Sequence, residues 1–303
     1  IEVPIDNQSP MEMLADATAT DDSVNADNLP IVSPSVANPA INPNRAENNP
    51  ANEVGMLPTG GGLEGRASDA RARLAALRGG TLASEAAVEE GLRWIINHQR
   101  EDGSWRFLHD QQSCQGNCKN EGTNEASTAA TGLALMSLLG AGYTHQTGPY
   151  QPQIQKGLQY LKLKMRVTAR GGSLTSGSKG MYAHAIATIA LSEASAMTGD
   201  SGLGKAADLA RQYIETAQHK AGGWRYDPGS PGDMTVTGWQ IMALKSCQLS
   251  GSRLGDLTMI QAEQFVDSLA TSNGRFGYNT DDSLENSATT TAIGVLSKMY
   301  LGA

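Results

Sequence analysis

The chain has 303 residues and a net charge of −8, and its prolines and its charge are concentrated near the N-terminus. Residues 1–62 contain 8 of the 12 prolines, nine acidic residues, one basic residue and no Phe, Trp or Tyr. Such a segment has too few bulky apolar groups to offset the entropy of ordering, so it is predicted to be a disordered acidic tail or tether. Residues 63–303 balance 22 basic against 22 acidic residues, which excludes the basic footprint of a nucleic-acid-binding domain.

Residues 63–303 are predicted to form one repeat domain of helical hairpins, each with a polar outer helix and an apolar inner helix. The outer helices are expected over residues 85–99, 152–165, 204–219 and 260–270. The inner helices share an octet that is rich in Ala, Thr and Gly and ends in Leu, and the octets begin 53, 53 and 52 residues apart. They cover Thr131–Leu138, His184–Leu191, Thr237–Leu244 and Thr289–Leu296. Apolar residues at the fourth and seventh positions after each start indicate buried helices, and no strand is expected.

The turns of the first and third hairpins share one pattern, in which a Gln, three residues, a Gly, one residue and a Trp follow the outer helix. The pattern covers Gln99, Gly103 and Trp105 in the first hairpin and Gln218, Gly222 and Trp224 in the third. The Gly allows the chain to reverse direction. We expect the Trp ring to lie over the end of the outer helix, where the Gln donates hydrogen bonds to unpaired carbonyls and ties one hairpin to the next.

These strings resemble the QW repeats of squalene-hopene cyclases and the related repeats of protein prenyltransferase β subunits. The resemblance covers residues 85–303, and it is degenerate at Gly171-Gly172-Ser173, which lacks the Trp, and at Phe276-Gly277-Tyr278. It implies an all-α fold, an α/α toroid whose central cavity holds an isoprenoid in the family. Toroids of the family usually close with more than the four hairpins predicted here. An incomplete ring is therefore expected, completed by hairpins beyond Ala303 or covered by residues 66–80 and a partner.

The family's cyclases protonate an alkene with the middle Asp of a D-x-D-D string, and this chain has no such string. The nearest one is Asn279-Thr280-Asp281-Asp282. When the family motif is aligned with the residues before the third inner helix, Gly232 stands at the position of the catalytic Asp. A glycine cannot donate a proton, so no catalytic residue is assigned. Asp233 and Glu285 precede inner helices and are interpreted as helix caps, with catalysis as the alternative.

A ligand cavity, as implied by the resemblance, is expected to be lined by residues at the starts of inner helices. The candidates are Tyr182, His184, Trp239 and Gln240. His184 replaces Thr at the inner-helix anchor and is interpreted either as a satisfied core histidine or as a ligand contact. Cys247 is interpreted as a small buried hydrophobe, because the Asp, Cys and His of a prenyltransferase zinc site cannot be assembled around it.

The connection after the first turn, residues 106–124, is longer than its counterparts and contains Cys114 and Cys118. A disulfide between these two cysteines is predicted, which points to an oxidising, extracytoplasmic or cell-envelope location. The alternatives are a zinc site that adds His109, which is less favoured because no fourth ligand is evident, and a reduced structural pair. No cofactor is therefore assigned.

The predicted function is a squalene-cyclase-like repeat domain that binds a hydrophobic, isoprenoid-like ligand or a protein partner without cyclase chemistry. One alternative is a terpene cyclase or another isoprenoid-processing enzyme whose acid lies beyond Ala303. The second alternative is a helical scaffold for protein–protein interaction. Neither nucleic acid nor a membrane span is expected, since the longest apolar run, Ala129–Ala141, is shorter than a bilayer requires.

Overall fold

A computed structural model describes residues 63–66, 75–77, 79–109, 114, 116–280 and 287–302. The predicted acidic tether, Asp281, Asp282 and Glu285 lie outside these residues. Helices dominate the described chain, which confirms the all-α prediction. The helices are α1 Leu82–Asn97, α2 Ser127–Gly140, α3 Gln151–Lys164, α4 Gly180–Thr198, α5 Ser201–Ala217, α6 Met234–Leu249, α7 Asp256–Ser268 and α8 Ala288–Leu301, with a 3-10 turn at Leu63–Arg66.

Four helical hairpins follow one another along the described chain. The inner helices pack in series, α2 on α4, α4 on α6 and α6 on α8, while α1, α3, α5 and α7 are the outer members. The inner helix α4 is buried along most of its length, from Gly180 to Ser195. None of the helices in the described part of the chain combines the length and the apolarity needed to cross a membrane.

The inner-helix repeat is more regular than the sequence indicated. In the first three inner helices the anchor residue and the fourth and seventh residues after it are all buried. In α8 the buried residues at these positions are Thr290, Gly294 and Ser297, whereas Leu296 is 39% exposed. The octet predicted at Thr289 is therefore wrong by one residue, and the fourth anchor follows the third by 53 residues, like the others.

One small β-hairpin contradicts the expectation of no strand. Strand β1, Arg166–Thr168, pairs antiparallel with β2, Gly171–Ser173, in the turn of the second hairpin. Gly171 has a φ of +112°, and a Cβ there would lie 2.6 Å from the carbonyl oxygen of Leu209 in α5. Only glycine fits this position, so the degenerate second repeat reverses through a glycine-based strand pair.

In the two intact turns the Trp, and not the Gln as expected, donates to the carbonyl at the end of the outer helix. The Trp105 indole N–H donates to the carbonyl of Ile95, 2.6 Å away in the last turn of α1, and Trp224 repeats this contact to Ile214 at 2.8 Å. Gln99 Nε2 donates at 3.0 Å to the Gly103 carbonyl of its own turn. The Trp therefore satisfies the carbonyl at the helix end.

The Gln side chains connect each intact turn to the following hairpin. Gln99 Nε2 donates to the Gln153 carbonyl of α3 at 2.8 Å, and Gln218 Nε2 donates to the Thr258 carbonyl of α7 at 2.9 Å. The next outer helix approaches so closely that a Cβ on Gly103 would lie 2.5 Å from the carbonyl oxygen of Lys156. The Gln and Gly together therefore set the stacking of successive hairpins.

Candidate functional site

Partly exposed aromatic side chains gather where the second and third inner helices, α4 and α6, begin. The rings of Tyr182 and Tyr226 lie 6.0 Å apart, and the hydroxyls of Tyr226 and Tyr278 are hydrogen-bonded at 3.1 Å. Lys179 Nζ lies 4.9 Å from the centre of the Tyr226 ring, and the Arg225 guanidinium lies 5.4 Å from it. We call Tyr182, Tyr226 and Tyr278 the tyrosine cluster.

The hydroxyls of Tyr182 and Tyr278 are held in the neutral, protonated form. Burial, a hydrogen bond with Tyr226 and the nearby Asp233 charge all raise the pKa of Tyr278. Burial also raises the pKa of Tyr182, against the effect of its hydrogen bond with Thr235. The cluster therefore offers aromatic faces and neutral hydroxyl groups at neutral pH.

Asp233 caps α6 and also keeps one oxygen unpaired beside the tyrosine cluster. Its Oδ1 accepts hydrogen bonds from the Val236 N–H at 2.8 Å and from the Thr235 hydroxyl at 2.7 Å. The residue is fully buried, and its Oδ2 has no hydrogen-bond partner in the described chain. The interpretation of Asp233 as a cap is confirmed, and Oδ2 is left as an acceptor for a polar group.

Trp239 and Gln240, predicted as lining residues, differ in exposure. Trp239 is half-buried and packs on a small apolar cluster between α2 and α4. Gln240 is fully buried; its Nε2 donates to the Met181 carbonyl at 2.9 Å, and its Oε1 has no partner among the described residues. Trp239 can therefore present an apolar surface, and Gln240 keeps a buried acceptor.

His184 is a core residue, which confirms the first of its two interpretations, a satisfied core histidine, and contradicts its place among the lining residues. Its Nδ1 accepts from the Leu174 N–H at 3.0 Å, and its Nε2 lies 3.1 Å from the Ala210 carbonyl, to which it donates. Burial lowers the pKa of His184 to about 4, so the ring is neutral and both nitrogens are used. The hydrogen bond from the Leu174 N–H to His184 is equivalent to the bonds from the Trp105 N–H to Thr131 and from the Trp224 N–H to Thr237. In this turn Leu174 therefore replaces the Trp, and His184 replaces the anchor Thr.

Tyr226 and Tyr278 were missed as candidate residues, although the repeat contains a signal for them. Each follows the ring of its turn by two residues, Tyr226 after Trp224 and Tyr278 after Phe276. The Trp or Phe anchors the turn, so the residue two positions later is directed to the same place in both hairpins. A recurring aromatic at this position could have identified the cluster.

A second group of reactive side chains lies at the C-terminal end of α1. One side-chain ligand atom from each of His98, Cys114 and Cys118 lies within 4.8 Å of the other two. Cys118 Sγ is 3.3 Å from His98 Nε2 and accepts a hydrogen bond from the Trp94 indole N–H at 3.2 Å. A hydrogen bond from the Cys118 backbone N–H is the largest of the causes that lower the pKa of Cys114 to about 6.

The cysteine pair differs from the sequence expectation in its neighbour and in its covalent state. Cys114 and Cys118 are free cysteines in this structure, so the predicted disulfide is not formed here. The histidine within reach of both sulfurs is His98, which follows α1, whereas the sequence proposed His109. His109 stands behind it, with its ring centre 5.8 Å from that of His98.

Comparison with known families gives one match. The family model for the squalene-hopene cyclase C-terminal domain matches residues 70–177, which include α1, α2, α3 and the β-hairpin. No curated protein matches the chain. The match confirms the resemblance carried by the Gln, Gly and Trp pattern and the helical repeat.

Proposed function

We propose, from the squalene-hopene-cyclase-like repeat carried by this chain, that the domain binds a hydrophobic, isoprenoid-like ligand at the N-terminal ends of α4 and α6. The observation that supports this proposal is the tyrosine cluster of Tyr182, Tyr226 and Tyr278, together with Trp239, which lies one helical turn after Thr235, the hydrogen-bond partner of Tyr182; all four rings are half-buried. Large aromatic side chains that remain partly exposed at one place are typical of the walls of small-molecule sites.

The polar atoms around the aromatic surface suit a ligand with one polar end. Asp233 Oδ2 and Gln240 Oε1 are buried acceptors without partners in the described chain. A prenyl alcohol can donate its hydroxyl proton to such an acceptor while its chain packs on the aromatic rings. The neutral tyrosine hydroxyls add no charge that an apolar ligand would have to desolvate.

Alkene protonation is not part of this proposal. Gly232 stands where the family motif places the proton donor, and Oδ1 of the following Asp233 is occupied by the helix cap. The domain is therefore proposed as a binding module. Cyclase activity remains the alternative if an acid is supplied by residues that the structure does not describe.

Binding is tested on the full chain with farnesol and geranylgeraniol, using isothermal titration calorimetry and 1-dodecanol as the unbranched comparison. We expect saturable binding that favours the prenyl alcohols. Trp239→Ala should weaken the affinity by about tenfold or more, since a lost aromatic contact of roughly 1.4 kcal/mol corresponds to that factor. Tyr278→Ala should act in the same direction.

The matched control is Tyr150→Ala, which removes another half-buried aromatic, at the N-cap of α3 and away from the proposed site. It should bind prenyl alcohols like the parent. Binding of dodecanol as tight as that of farnesol, or a Trp239→Ala variant with unchanged affinity, would contradict the proposal.

A protein partner is the second candidate, and a different surface favours it. The last inner helix α8 exposes Val295 by 48% and Met299 by 42%, and the outer helix α7 exposes Leu257 by 71%. Apolar side chains exposed on neighbouring helices are found at protein interfaces. A chain that binds no prenyl alcohol but self-associates or captures a partner through α7 and α8 would favour this candidate.

A further inference from the structure

We propose that the first hairpin holds a zinc ion, with His98, Cys114 and Cys118 as three of its ligands and His109 as the fourth. This site is separate from the tyrosine cluster and independent of the proposed ligand binding. It would fix the long connection after the first turn to the end of α1.

The spacing of the ligand atoms matches a zinc site. In a tetrahedral site with Zn–S of about 2.3 Å and Zn–N of about 2.0 Å, a sulfur and a nitrogen ligand lie about 3.5 Å apart. Cys118 Sγ and His98 Nε2 are 3.3 Å apart, and Cys114 Sγ completes a group whose members all lie within 4.8 Å. A cation fits between these three atoms with only small side-chain adjustments.

The hydrogen bonds of His98 orient it as a metal ligand. Its Nδ1 lies 2.6 Å from the Trp94 carbonyl oxygen, which can only accept, so Nδ1 carries the proton. The lone pair of the neutral ring is then on Nε2, the atom directed at Cys118 Sγ. Metal-bound histidines usually donate their second ring N–H to a backbone carbonyl in this way, which fixes the tautomer. The ring is also held by stacking on Trp94 at 4.0 Å.

The sulfur atoms are surrounded by donors that favour thiolates. The Trp94 indole N–H donates to Cys118 Sγ at 3.2 Å, and the Cys118 backbone N–H donates to Cys114 Sγ at 3.4 Å. Thiolate and imidazole ligands select zinc over calcium and magnesium, which prefer oxygen. Two thiolates and Zn²⁺ also form a neutral site, which suits its partly buried position.

His109 is placed to complete the coordination. Its Nε2 is buried and has no hydrogen-bond partner in the described chain. Two imidazoles on one tetrahedral zinc have ring centres about 5 Å apart, and the rings of His98 and His109 are separated by 5.8 Å. A small movement of His109 towards the sulfurs therefore closes the site and gives its unpaired nitrogen a partner.

The described part of the connection, residues 106–109, 114 and 116–124, has few other contacts that would order it. It is joined at its base by the Gly122 N–H, which donates to the Phe107 carbonyl at 2.9 Å. Between these residues the described side chains include exposed Leu108, Asn117 and Lys119. A metal that joins His98 to Cys114 and Cys118 therefore supplies the ordering that an apolar core would supply elsewhere.

The first experiment measures zinc in the untagged full chain, purified under reducing conditions and dialysed against zinc and then against zinc-free buffer. We expect one equivalent of zinc per chain by elemental analysis. Cobalt in place of zinc should give the sulfur-to-metal charge-transfer absorption of a thiolate site. Absence of both signals would overturn the proposal.

The state of the thiols separates zinc from the disulfide without any substitution. In the zinc-loaded chain, Cys114 and Cys118 should resist alkylation and should react once a chelator is added. Cys247 is an internal control, since it is fully buried and should react only on unfolding. The intact mass of the isolated chain reports a disulfide, because its formation removes two hydrogens. If that loss is found, and the reduced chain binds no metal, the two cysteines form a disulfide and the zinc proposal is wrong.

Substitutions then identify the ligands. Cys114→Ser, Cys118→Ser and His98→Gln should each lose bound zinc, while circular dichroism shows that the helices are retained. The matched control is His219→Gln, because His219 directly follows the Gln of the third turn and does not belong to the ligand group at the first turn. Zinc retained in the cysteine variants, or lost in His219→Gln, would contradict the site.

The fourth ligand has its own test. His109→Gln should keep zinc at saturating concentration but weaken its affinity by about tenfold or more, and should change the cobalt d–d spectrum. An unchanged affinity and spectrum would remove His109 from the ligand set.

Discussion

The first and third turns use the same contacts to connect hairpins, but they are followed by connections of different chemistry. Trp105 and Trp224 make equivalent indole and backbone hydrogen bonds, and the backbone N–H of each donates to the anchor Thr of its inner helix, Thr131 or Thr237. After the first turn the chain continues into the long connection with the cysteines. After the third it reaches Tyr226 and Asp233 within nine residues.

This difference separates the residues that build the repeat from the residues that give a hairpin its own chemistry. The Gln, Gly and Trp positions contact the next outer helix and tolerate little change. The connections that follow the Trp differ between the two hairpins: the first carries two thiols and the third carries Tyr226 of the tyrosine cluster. The same fold can therefore support different sites.

The largest expected effect comes from removing the Trp of either intact turn. Trp224 is 1% exposed and Trp105 is 5% exposed, and each loses its indole hydrogen bond when truncated. Trp105→Ala and Trp224→Ala should each lower the free energy of unfolding by about 3–5 kcal/mol. Urea denaturation followed by far-UV circular dichroism measures this. If one variant is as stable as the parent, the two turns are not equivalent.

The second hairpin differs from both, because a histidine replaces the anchor Thr, and this difference should appear as a pH dependence. Burial lowers the pKa of His184 from 6.5 to about 4, so the folded state favours the neutral ring. The neutral ring therefore stabilises the folded state fully above pH 6.5, and this stabilisation is lost as the pH falls towards 4. The loss should reach about 3 kcal/mol in the free energy of unfolding.

His184→Thr, which restores the residue of the other anchors, isolates this contribution. The variant should be less stable at neutral pH, since the Ala210 carbonyl loses its donor. Its stability should also fall less steeply than that of the parent between pH 6.5 and 4. The test is the difference between the two slopes, because the other four histidines are present in both proteins. Parallel slopes would mean that His184 protonates without cost in the folded state.

A smaller effect is expected from the Gln of an intact turn. Gln218 Nε2 donates to the Gly222 carbonyl at 2.7 Å and to the Thr258 carbonyl at 2.9 Å. Gln218→Ala should therefore destabilise the chain by about 1–3 kcal/mol, for two lost hydrogen bonds. The control is Gln212→Ala on the exposed side of α5, which should be nearly neutral. Thermal melts of both variants give the comparison.

Much of the fold could be predicted because the Gln, Gly and Trp that define the repeat have mainly one role, which is to form the turn and connect successive hairpins. The Gln, Gly and Trp spacing and the period of 53 residues identified the hairpins. The fourth anchor was placed one residue early because Thr289, Thr290 and Thr291 are identical in sequence and only burial distinguishes them. The β-hairpin was missed because its glycine pair indicates a turn and does not indicate pairing.

The candidate sites were less predictable, because they depend on where the turns place distant residues. His98 follows α1 and reaches the cysteines only through the path of the long connection, so its spacing in sequence suggests no metal site. His184 was interpreted either as a core histidine or as a ligand contact, because it interrupts a Thr pattern. The structure shows that it replaces the hydrogen bonds of that Thr, a substitution that sequence alone does not distinguish from a functional one.

The smallest expected effect is a test at the fourth turn, where the repeat lacks its Gln. Ala270 occupies the Gln position, four residues before Gly274, and no heavy atom of the described chain lies within 4 Å of a Cβ built on Gly274. Within the part of the chain that the structure describes, no outer helix follows that a Gln at position 270 could reach, in contrast to Gln99 and Gln218. Ala270→Gln should change the free energy of unfolding by less than about 0.5 kcal/mol. If Ala270→Gln instead raised the free energy of unfolding by as much as Gln218→Ala lowers it, a hydrogen bond to the Gly274 carbonyl alone would account for the effect of the Gln. The contact with the next hairpin would then contribute little to the stability of the intact turns.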